Sequence, residues 1–192
     1  MTMEDVNESL KEELEALEAI LSPEDEFKTE AHSETELCVT SRIFPLTASD
    51  TSRQYVGLYL KVVLNKSLYP DQEKPRIIDV FQVRGLDEKD IQQLKNVSFS
   101  LEIGNLKKKL TGFPFPFQNL NSKWDEMPNS PILFSLIDEC REFLTEHNYP
   151  TCPCSICLYH IVQDDAFIKT PCYHYFHSIC FGRYLSLFSP IR

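Results

Sequence analysis

Val56-Gly-Leu-Tyr-Leu-Lys-Val-Val-Leu64 places apolar side chains at 56, 58, 60, 62 and 64. A step of two puts all five on one face of a strand. Leu37, Val39 and Ile43 repeat the pattern upstream, and Ile77 to Val83 is a further β-branched run downstream. Ser, Thr, Asp and Pro fill the connections, as an antiparallel meander requires. Residues 4–21 change period. Leu10, Leu14, Leu17 and Leu21 recur at helical spacing with Glu and Lys between them, which predicts an amphipathic helix covering the sheet, ended by Ser22-Pro23. Ile132, Leu133, Leu136, Ile137, Cys140, Phe143 and Leu144 form a second helical stripe. Ser130 is its expected cap, Pro131 suits its first turn, and Pro150 ends it. The fold class is therefore α+β.

Between sheet and second helix the reading is weaker. Residues 87–110 suggest a helix interrupted by Gly104, with Lys107, Lys108 and Lys109 as a solvated basic face. Prolines exclude regular structure from 112–130, where Phe113, Phe115 and Phe117 are expected to pack onto the parent domain.

The 192 residues carry 29 acids against 19 bases, a formal charge of −10. That balance argues against a nucleic-acid or anionic-membrane surface. No apolar run reaches the ~18 to 20 residues of a membrane span. The acidic start, Met1-Thr-Met-Glu-Asp5, lacks the basic and apolar stretches of a secretory leader. A reducing setting follows, and with it a metal reading of the cysteines.

Cysteines stand at 38, 140, 152, 154, 157, 172 and 180. Cys38 lies on the Leu37/Val39 strand and Cys140 in the helical stripe, both read as small core hydrophobes. The others sit in Cys154-Ser-Ile-Cys157 and, fourteen residues later, Cys172-Tyr-His174-Tyr-Phe-His177-Ser-Ile-Cys180. Thiolate and imidazole are the donors that Zn²⁺ prefers, and a two-residue gap aims two side chains at one ion. His147 and His160 lie outside this pattern as surface residues, and Cys152 is a spare ligand at best. Two tetrahedral sites need eight ligands, whereas Cys154, Cys157, Cys172, His174, His177 and Cys180 are six. None of Phe181 to Arg192 adds a donor, so the second site is expected to stay open.

Pro171-Cys172-Tyr-His174-Tyr-Phe-His177, after the Cys-x2-Cys pair, resembles a RING finger of the Cys/His₂ kind, cut before the family's last Cys-x2-Cys. The resemblance implies a first zinc on Cys154, Cys157, His177 and Cys180, and an incomplete second on Cys172 and His174. It implies contacts to a ubiquitin-conjugating enzyme at Ile156 and Tyr184. Glu13 to Ile20 and Tyr69-Pro70-Asp-Gln-Glu-Lys-Pro75 resemble the RWD family, whose members look like conjugating enzymes without the active cysteine. The implied domains are RWD at 4–148 and a partial RING at 152–192, with 113–126 as a local insertion. Together they resemble RING-type E3 ubiquitin ligases.

The implied activity positions a ubiquitin-charged conjugating enzyme without a covalent intermediate. Conjugating enzyme, ubiquitin and a protein on the RWD surface are the implied partners, in the cytoplasm or nucleus. The alternative is a non-catalytic RWD interaction protein whose RING is inert or competes with a complete ligase. A zinc hydrolase would need an open metal position with an activated water; Cys-rich ligation and the lack of a nearby general base argue against it.

Overall fold

The structure, a computed structural model, describes residues 6–21, 26–48, 50–89 and 129–188. The predicted helix beyond Lys89, the 107–109 lysines and the aromatic segment to residue 128 lie outside them.

Helix α1 spans Glu8–Ile20, and the Asn7 side chain accepts from the Ser9 N–H at 2.9 Å to cap it. Strands β1 (Phe27–Ala31), β2 (Glu36–Ile43), β3 (Gly57–Asn65) and β4 (Arg76–Arg84) follow. They form one antiparallel sheet in the order β1-β2-β3-β4. Helix α2 is Leu133–Glu146. Strands β5 (Phe167–Lys169) and β6 (Tyr175–His177) form a small hairpin, and helix α3 is Ser178–Phe188.

The alternating stretch is the centre of the sheet. Leu58, Leu60, Val62 and Leu64 point to one side with Leu37, Val39, Ile43, Ile77 and Val80. Leu10, Leu14, Leu17 and Leu21 of α1 and the apolar stripe of α2 close over them as one buried cluster. Cys140 is buried in that seam and Cys38 in β2, and burial raises both thiols.

Ser130 does not cap α2. The helix begins at Leu133 with Ile132 at the cap position and no side-chain acceptor of its own. Its exposed N–H groups are met from elsewhere in the fold. The Tyr69 hydroxyl accepts from Ile132 N at 2.7 Å and Leu133 N at 3.2 Å, while Glu13 Oε1 accepts from Phe134 N at 3.0 Å. Tyr69 in turn donates to Glu13 Oε2 at 2.7 Å. A carboxylate at a helix N-terminus also meets the positive end of the helix dipole. Tyr69 is fully buried, and its one hydroxyl joins the Tyr69–Pro75 turn to both helices.

Gly85 ends β4 with φ +77. Its carbonyl accepts from Thr151 N at 2.7 Å, and a Cβ there would lie 2.2 Å from the Tyr55 carbonyl oxygen and 3.0 Å from Tyr175 Oη. Only hydrogen fits, and the positive φ suits glycine too. This is where the carboxyl-terminal part meets the sheet domain. Tyr175 donates to the Tyr55 carbonyl at 2.6 Å, and Lys169 Nζ donates to the carbonyls of Gln54 at 2.8 Å and Thr51 at 3.2 Å. Asn148 spans the same seam, accepting from Tyr55 N and donating to Arg53 O, both at 2.8 Å. Phe167 packs edge-on against the rings of Tyr55 and Tyr149.

Candidate metal centre

The first two donors come from a tight knuckle. Leu158 N donates to Cys154 O at 2.9 Å, Cys154 N donates to Tyr159 O at 2.8 Å, and Leu158 takes φ +64 to close the turn. Ser155 N donates to Tyr175 O at 2.9 Å, which fixes the knuckle to β6. The other two donors follow from β6, which ends at His177, and from the first turn of α3, which contains Cys180. Cys154, Ile161 and Tyr175 are the buried centre beneath them.

Cys154, Cys157, His177 and Cys180 converge, with all four ligand atoms within 4.8 Å of one another. His177 Nδ1 lies 3.3 Å from Cys157 Sγ and 3.9 Å from Cys180 Sγ. Bond lengths of ~2.3 Å to sulfur and ~2.0 Å to nitrogen give tetrahedral edges of roughly 3.5 to 3.8 Å, so these two separations bracket the dimensions of a zinc site. Three sulfurs and one imidazole are also the donor set of closed structural zinc sites.

The electrostatics of the quartet suit a bound cation. Burial alone would raise the Cys154 thiol, but the N–H groups of Cys157, Ile156 and His177 turned toward its sulfur bring it down to about 6. Cys180 is pushed the other way, to about 11, by desolvation and by the sulfurs of Cys157 and Cys154. Three thiolates at this spacing repel one another, and a divalent cation among them removes the conflict.

Spacing reveals the quartet but not its support. His177 Nε2 faces Asp165 Oδ2 at 3.3 Å, and the same oxygen accepts from Val162 N at 3.0 Å. A carboxylate behind a histidine ligand sets its tautomer and ring orientation. A usable signal existed, since Asp164 and Asp165 are the only acids between Cys157 and Cys172.

Cys172 and His174 lie apart from this quartet. Cys172 Sγ is 3.1 Å from His174 Nδ1 and 3.1 Å from Thr170 Oγ1, is exposed, and is brought down to about 7 by the Thr170 hydroxyl and His174. Among the described residues no third donor joins them. Cys152 stays outside the quartet, and burial pushes its thiol to about 11. His160 is exposed near Asp87, and His147 is half-buried against Phe143. Ile156, between the first two donors, is 40% exposed, and Tyr184 on α3 is 48% exposed.

Comparison with known proteins agrees with this architecture. Residues 8–101 match the RWD domain family. The solution structure of the RWD domain of mouse GCN2 superposes with a TM-score of 0.50 at 21% identity, covering 72% of this chain and 85% of that one. A protein named E3 ubiquitin-protein ligase RNF25 from Danio rerio is 32% identical over 174 residues, 91% of this chain and 29% of that protein. Its namesake from Homo sapiens is 34% identical over 143 residues, 74% of this chain and 26% of that protein. The chain thus spans between a quarter and a third of these relatives' length. Residues 8–101 carry the RWD match, and over most of its own length the chain is similar to a quarter to a third, by length, of proteins named E3 ubiquitin-protein ligase RNF25.

Proposed function

We propose that the chain acts in ubiquitin transfer, with a RING-type finger (152–192) that recruits a ubiquitin-charged conjugating enzyme and an RWD domain (4–148) that holds a protein partner. The convergence of Cys154, Cys157, His177 and Cys180 carries this reading. Zn²⁺ there would supply structural crosslinking and no reactive position, because four protein donors fill a tetrahedral shell. Cys172 and His174 would offer half of a second site.

The chain's own residues would do the rest. The knuckle holds Ile156 outward and α3 holds Tyr184 outward, an exposed pair suited to gripping the conjugating enzyme. Rate enhancement would then come from holding the thioester near an incoming lysine. Cys140 and Cys38 are buried, which fits a chain with no thioester of its own.

The test is lysine-dependent discharge of a charged conjugating enzyme by the zinc-loaded chain. Faster discharge, reduced by Ile156→Ala, is expected; discharge at the uncatalysed rate would refute the ligase reading.

A second reading draws on one observation, the absence of a third donor beside Cys172 and His174 among the described residues. In it the chain is a binding protein whose finger grips no conjugating enzyme productively. Zinc near one ion per chain, together with no discharge, is the result it expects.

A further inference from the structure

Where the finger meets the sheet, Arg42, Phe44, Tyr59, Gln82, Arg84 and Tyr173 line a pocket of about 300 Å³. Its chemistry is unlike that of the chain as a whole. The protein carries a formal charge of −10, yet the pocket holds two guanidinium groups and no carboxylate, with the Cys172 thiol also in its lining. The Arg42 guanidinium carbon lies 4.6 Å from the Phe44 ring centroid and 5.8 Å from that of Tyr59. Arg84 stands 6.0 Å from the Tyr173 ring centroid. A guanidinium stacked on a ring keeps its N–H edge free to donate.

Arg42 Nε is buried without a hydrogen-bond partner. An unpaired donor on a charged group is costly, and an anion drawn to the same guanidinium offsets part of that cost.

The backbone beside it is bent toward the same place. Gly57 pairs with Arg84 and Tyr59 with Phe81, so Gln82 and Val83 together oppose Leu58 alone. This is a β-bulge, with Gln82 at φ +46. Bulges re-aim side chains at binding sites, and a strained non-glycine residue persists where its surroundings hold it. Here the bulge turns the end of β4 toward Tyr173, which stacks on Phe44 with centroids 6.2 Å apart.

We propose that this pocket binds an oxyanion, the carboxylate or phosphate group of a side chain on a partner protein, held by Arg42 and Arg84 between aromatic walls. Planar guanidinium groups donate two parallel hydrogen bonds to either group. The volume suits one side chain. Because sheet and finger both line the pocket, its occupant would touch both at once. The assignment is independent of ligase activity.

The test uses the full chain loaded with zinc. The Arg Nε–Hε resonances are followed by NMR while inorganic phosphate is added at constant ionic strength. Parallel titrations use a Gly/Ser peptide bearing one glutamate and the same peptide bearing one phosphoserine. Saturable movement of the Arg42 and Arg84 signals is expected; in Arg42→Gln the Arg84 signal should report half-saturation shifted about ten-fold or more, as the loss of a charge-assisted hydrogen bond requires. The peptide that saturates at lower concentration identifies the group the partner offers. Arg84→Gln, at an exposed site, should weaken binding without disturbing the fold, so the proposal is testable even if Arg42→Gln unfolds. Arg76→Gln, which breaks a pair with Glu36 elsewhere on the sheet, should bind like the parent. Linear movement with all three probes, or saturation unchanged in Arg84→Gln, overturns the proposal.

Discussion

Asp165 stands 3.3 Å behind His177, at the ring nitrogen turned away from the cysteine sulfurs. Asp165→Asn keeps the volume and an acceptor oxygen but removes the negative charge. Zinc affinity is expected to fall by about 10- to 100-fold, the usual effect of losing such a support. Competition with a chromophoric chelator measures it. Affinity equal to the parent's would show that the carboxylate does not support a ligand.

Cys157→Ser removes a donor from the quartet, and Cys152→Ser removes a sulfur outside it. Elemental analysis should find the first variant largely without zinc and the second fully loaded. The first should also expose its finger to proteases, because in small metal modules the metal supplies much of the folding free energy. Full metal content in Cys157→Ser would discard the quartet.

Tyr69 is donor to Glu13 and acceptor for two N–H groups of α2. Tyr69→Phe leaves a buried carboxylate and two helix N–H groups without that partner. Denaturant unfolding should show a loss of about 2 to 4 kcal/mol, from unsatisfied buried groups at about 1 to 3 kcal/mol each that partly relax. A loss below 0.5 kcal/mol would mean that water replaces the hydroxyl.

Glu13 also gives the protein a pH signature. Desolvation raises its carboxyl above the ordinary 4.5, with the Tyr69 and backbone hydrogen bonds opposing. A carboxyl raised on folding binds its proton more tightly in the native state. Its contribution is therefore most favourable below pH 4.5 and is lost as pH rises through the native value. Glu13→Gln abolishes that dependence. The stability difference, parent minus variant, should shift in the parent's favour as pH falls from neutrality to 4.5. A difference that stays constant across this range would contradict the assignment.

Much of this architecture is legible in the sequence. The step of two from Val56 to Leu64 gives the central strand, and the leucines of α1 give the covering helix, because burial of one face selects those periods. Ligand spacing singles out the residues that converge at the metal centre. β1 is hidden, since only Phe27 of its five residues is buried and an edge strand needs no alternation. The α2 cap is hidden for another reason. Its acceptors, Tyr69 and Glu13, lie 63 and 121 residues from the N–H groups they meet, whereas a sequence reading looks to the neighbouring Ser130. The hairpin β5–β6 and helix α3 are short and only partly buried, so neither imprints a clear period. The seam at Tyr55, Gly85 and Tyr175 joins distant positions and leaves no local pattern either.

That seam has a consequence for motion in solution. Thr51, Gln54, Tyr55 and Gly85 offer four backbone carbonyls to the finger side, met by Lys169, Tyr175 and the Thr151 N–H. Sheet and finger joined in this way are expected to tumble with a common rotational correlation time, which NMR relaxation of backbone amides on either side of the seam measures.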